Sequence, residues 1–160
     1  SAPSSLRPRR RPGARGPQAS TVPQNLEGAM KGMEQALKSI KVEAADPAKI
    51  EQTLKDIGLL ERDVAIAKSL IPPLVNRQTG DAKAESLSDY RAMLVSVLRT
   101  VLDLEEAVVD KKPDDIKKAL TQLDELETQG HKEFNPPRNR GGERGAPGTR
   151  GAPATRPRGD

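Results

Sequence analysis

Between residues 24 and 42 the apolar side chains fall at Leu26, Met30, Met33, Leu37 and Ile40, in steps of four, three, four and three. That spacing keeps all five on one stripe of a helix and leaves the other faces polar. A second stripe follows at Ile50, Leu54, Ile57, Leu60, Val64, Ala67 and Ile71. Asp46 and Pro47 supply its N-cap and first-turn proline, and Pro72-Pro73 stops it. A loop through Gly80 leads to Ser86 or Ser88, either of which caps a third helix. Its stripe is Leu87, Tyr90, Leu94, Val97, Val101, Leu104 and Val108. Lys112-Pro113 breaks the chain again. Asp114 and Asp115 then sit in the first turn of a fourth helix, where their charge favours the dipole. Ile116, Leu120, Leu123 and, less regularly, Phe134 line that helix.

Four helices of roughly 19 to 25 residues joined by short connections become antiparallel neighbours. The expected fold is therefore all-α, an antiparallel up-down-up-down four-helix bundle over residues 22–135, long enough for one core. The two ends differ from it. Residues 1–20 hold five arginines and no acid, and residues 138–160 hold six arginines against Glu143 and Asp160. These ends carry +9 of a net charge of +4, so the stretch between them is acidic, at about −5. Rich in Pro and Gly and almost free of large apolar residues, segments 1–21 and 136–160 are expected to be disordered basic tails. Tails of this kind serve solubility or bind acidic surfaces.

Composition excludes several functions. There is no cysteine, which rules out disulfides, thiolate metal sites and cysteine catalysis. Tyr90 and Phe134 are the only aromatic residues, too few for a base-stacking platform, and the middle segment is acidic, so nucleic acid is not an expected partner. No run approaches the roughly 20 apolar residues of a transmembrane helix. A di-iron bundle needs two Glu-x-x-His motifs, and the chain has one histidine. No acid pairs with a recognisable nucleophile, so no enzyme is expected.

That single histidine, His131, lies eleven residues after Leu120, close to three helical turns, which directs it toward the bundle or its edge. Met30 lies about 7–8 Å into the first helix and His131 roughly 6 Å from the end of the last, at the same end of an up-down-up-down bundle. A thioether and an imidazole at equal depth suggest the two axial ligands of a haem. The alternatives stand beside this. A methionine on an apolar stripe commonly fills a gap in a core. A histidine in a last helical turn commonly complements the dipole or caps carbonyls.

The middle of the chain also resembles the soluble cytochrome b562 family along its length. "NLEGAM", ending at Met30, is similar to the family's opening turns, which end in the axial methionine. "ADPAKIEQTLKDI", then "AIAKSLIPP", resembles its second helix and following double proline. "DYRAML" resembles the start of its third helix, and "QLDELETQGHKEF" its last, with His131 on the axial histidine. The resemblance implies non-covalent haem b held by Met30 and His131, with Tyr90, Leu94 and Phe134 around it. It further implies electron transfer to a redox partner protein and placement in the periplasm, although no signal-peptide pattern occurs in the chain. Gly130 stands where the family tends to have a large residue. A haem-free helical module whose Arg-rich tails bind an acidic partner or surface is the alternative.

Overall fold

The computed structural model describes residues 21–135. The expectations for tails 1–20 and 136–160 fall outside those residues. Helix α1, Leu26–Glu43, begins where the Asn25 side chain accepts the Gly28 N–H at 2.7 Å. Asp46 does cap the next element, accepting the Ala48 N–H at 2.9 Å. It starts a 3₁₀ turn, Pro47–Lys49, from which α2, Ile50–Ser69, continues. Short 3₁₀ turns are common at helix N-termini.

The second stripe ends earlier than its pattern implied. Leu70 is already extended, with φ −100° and ψ 165°, two residues before the Pro72-Pro73 pair, neither member of which could continue the helix's hydrogen bonds. Ile71 is therefore 43% exposed, outside the core. Pro73 opens a one-turn helix, α3, Pro73–Asn76, which buries Val75. The third long helix, α4, runs Gly80–Val109, so neither Ser86 nor Ser88 caps it; both lie inside. The stretch "DAKAES" is rich in good helix formers, and Asp81 favours the first turn, so the helix nucleates ahead of both serines. Pro113 opens α5, Pro113–Phe134, as expected.

The end of α4 carries a non-glycine residue in the left-handed region, Lys111 at φ 55°. Lys112 N–H reaches back to Ala107 C=O at 2.9 Å and Lys111 N–H to Val108 C=O at 3.2 Å, the two bonds of a Schellman cap. Lysine is strained there, by about 1 kcal/mol. Lys111→Gly is expected to raise stability by up to that amount, read from the midpoint of urea unfolding at constant slope.

Among the described residues the structure is four long antiparallel helices and one short turn of helix, with no strand. The inward stripes interlock as drawn from the sequence: Leu37, Ile40, Ile57, Leu60, Val64 and Val101 are all buried. Backbone packing runs from α1 to α2, from α2 to α4 and from α4 to α5, while α1 and α5 lack a comparable approach. A Lys41–Asp124 ion pair joins them toward the C-terminal end of α1. The bundle is thus open along one seam, at the end where α1 begins and α5 finishes. No helix among the described residues is long and apolar enough to cross a membrane.

Candidate functional site

The open seam holds a cleft of about 670 Å³. One wall is α1, which presents Met30 and Met33. The facing wall is α5, with Leu126, His131 and Phe134, and α4 closes the floor with Tyr90, Met93 and Leu94. All five residues singled out from the sequence (Met30, Tyr90, Leu94, His131 and Phe134) therefore line one cavity. The stripe periodicity brings them there, because α1 and α5 turn their apolar faces inward without the close backbone approach that the other neighbouring helices make. Met33 and Met93 were missed as cleft residues. Met93 falls between Tyr90 and Leu94 on the same face of α4, so helical spacing was a sufficient signal for it.

The two candidate donors sit differently. Met30 is half-buried in the α1 wall; His131 stands at the mouth and is exposed, a more solvent-facing place than the α5 stripe implied. The His131 carbonyl accepts the Asn135 N–H that closes the helix, at 3.0 Å. The imidazole has no hydrogen bond or ion pair among the described residues. It therefore caps no carbonyl.

Tyr90 is only 2% exposed. Its hydroxyl donates to Ala67 C=O at 2.7 Å, in the last turn of α2. Its ring meets Phe134 edge-on, with centroids 5.3 Å apart and planes at 74°, which ties the end of α5 to α4 beside the cleft. Burial pushes the Tyr90 hydroxyl up to about 12 from its ordinary 10. The folded protein keeps this proton after the unfolded chain has lost it. Its stability is thus fully present below pH 10 and falls as pH rises toward 12. Comparing urea midpoints of the wild type and Tyr90→Phe across pH 9–12 is expected to show a steeper decline for the wild type. Equal slopes would mean the hydroxyl titrates freely.

Next to His131, a Cβ on Gly130 would lie 3.0 Å from the Met93 sulfur. The missing side chain lets the Met93 thioether rest against the turn that carries the histidine. The rim is polar, with Glu27, Lys31, Glu34 and Glu127.

A family model, cytochrome b562, matches residues 25–135, most of the chain and the whole of this bundle. The chain belongs to the cytochrome b562 family. No curated protein and no solved structure matches it. Cytochrome b562 membership implies a haem-binding electron carrier without enzymatic activity. The residues of this cleft fit that group. Its volume lies within the roughly 300–1,000 Å³ of ordinary cofactor sites. Its inner lining is apolar, and it offers the Met30 and Met33 thioethers from one wall and the His131 imidazole from the facing one. Among the described residues no three His, Cys, Asp or Glu side chains gather as a metal site.

Proposed function

We propose that this protein is a b-type haem electron carrier in which Met30 and His131 are the axial ligands. The observation that supports it most directly is that the chain's only histidine and Met30 line the same cleft from opposite helices. When bound, haem supplies a one-electron couple, and a methionine–histidine pair of ligands raises its potential and leaves no open coordination position. The chain's own contribution is placement. Met30 is held by the core stripe of α1. His131 is held by the last turn of α5, which the Tyr90–Phe134 contact fastens to α4. Leu94, Leu37 and Leu123 keep water from the inner cleft. The exposed mouth gives a redox partner protein access to the cofactor edge.

On this reading residues 22–135 are the haem-binding unit, flanked by Arg-rich segments 1–21 and 136–160. The family's periplasmic setting is proposed for this chain as well. The test is a haemin titration of the full chain followed by spectra of oxidised and reduced protein. A saturable one-to-one, low-spin complex with sharp α and β bands on reduction is expected. Absence of saturable binding would leave the haem-free module, and salt-sensitive association of its Arg-rich segments would be measured next.

A further inference from the structure

The chain contains three methionines and one histidine, and all four line the same cleft. Haem ligation accounts for one of the thioethers. Met33 and Met93 are left over; Met33 packs on one side against the core, and both also border the cleft. Gap-filling methionines occupy the space they border. Here Met30, Met33 and Met93 are each half-buried and border open volume. They also come from different sides. Met30 and Met33 are one turn apart on α1, Met93 comes from α4, and His131 from α5.

Gly130 bears on the same arrangement. Glycine weakens a helix interior, yet this one lies within α5, four residues before its end. Its missing Cβ is what lets the Met93 sulfur lie against the turn bearing His131. Three thioethers and one imidazole form a donor set with soft sulfur predominating. Such a set selects a soft monovalent cation and rejects Mg²⁺ or Ca²⁺, which require oxygen cages. The carboxylates are at the rim, where Glu27 and Glu34 are exposed and Glu127 half-buried. Three acids against Lys31 make the mouth attractive to a cation.

We infer that the haem-free protein binds one soft monovalent metal ion, Cu(I) or its redox-inert mimic Ag(I), through Met30, Met33, Met93 and His131. The inference goes beyond the haem reading and does not depend on haem being bound. Because the two sites share Met30 and His131, the ion and haem exclude each other.

The experiment is an anaerobic titration of the full, haem-free chain with Ag(I), observed through the ¹³C-labelled methyl groups of its three methionines. All three resonances are expected to shift together and saturate at one equivalent. Met33→Leu and Met93→Leu, which conserve volume, are each expected to weaken Ag(I) binding at least tenfold while circular dichroism reports an intact bundle. Haemin-saturated protein is expected to take up no Ag(I) in the cleft. Methyl resonances unmoved at one equivalent, or wild-type affinity in both variants, would overturn the proposal, as would unchanged binding after haemin saturation. Failure of haem to bind, with all three methyls responding to Ag(I), would sink the haem reading and leave this one standing.

Discussion

His131→Ala is expected to abolish saturable haem binding, and Met30→Leu to retain haem with a changed spin state and a lower potential. The asymmetry follows from the ligands. Imidazole is the stronger donor, and no other histidine can replace it. Loss of groups that merely orient a metal ligand costs about 10–100-fold in affinity, so loss of the ligand itself should cost at least about a hundredfold. Met30→Leu removes a weaker, neutral ligand while nearly conserving volume in the α1 wall. Because methionine–histidine ligation raises the potential, the fall should be on the order of 0.1 V within the roughly 0.8 V range that axial ligands span. Titration by Soret absorbance and redox potentiometry of the two variants check this. A His131→Ala protein that still formed a low-spin one-to-one complex would end the axial assignment.

Gly32→Ala is expected to destabilise the bundle by about 2 kcal/mol, whereas Gly58→Ala should stabilise it by about 1 kcal/mol. Both glycines lie in helix interiors, where alanine gains about 1 kcal/mol from propensity alone. At Gly58 nothing lies within 4 Å of the added Cβ, so that gain is realised. At Gly32 the added Cβ would fall 2.1 Å from Oδ2 of Asp63 and 3.1 Å from its Cγ. Asp63 is 2% exposed, and its other oxygen accepts from Arg62 Nε at 2.8 Å. The carboxylate must leave this packed position, and loosening this partly buried pair costs part of the roughly 3–5 kcal/mol of a fully buried one, enough to outweigh the propensity gain. Thermal and urea unfolding of the two single variants measure both signs at once. If Gly32→Ala were as stabilising as Gly58→Ala, the α1–α2 contact would be looser than described.

These glycines also mark where a one-dimensional pattern stops informing. Gly32, Gly58 and Gly130 look alike along the chain. What distinguishes them is the neighbour that another helix brings: the Asp63 carboxylate, nothing, and the Met93 sulfur. Helix ends behave similarly. Pro113 and Asp46 act locally and were legible, as was the 3.6-residue stripe that buries Ile40 on α1 and Val101 on α4. The start of α4 was not, because Ser86 and Ser88 are cap-forming residues within a stretch whose neighbours favour helix more strongly.

The sequence by itself determined the helices, their inward faces, their antiparallel order and the set of residues at one end of the bundle that carries Met30 and His131. Periodicity suffices for this, since each helix must bury its own stripe. Tertiary structure alone decided that α1 and α5 stay apart to leave a cleft, that Tyr90 is fastened to Ala67, and that Met93 reaches the turn of His131. Those outcomes depend on how side chains from separate helices fill or leave shared space, and no single helix encodes them.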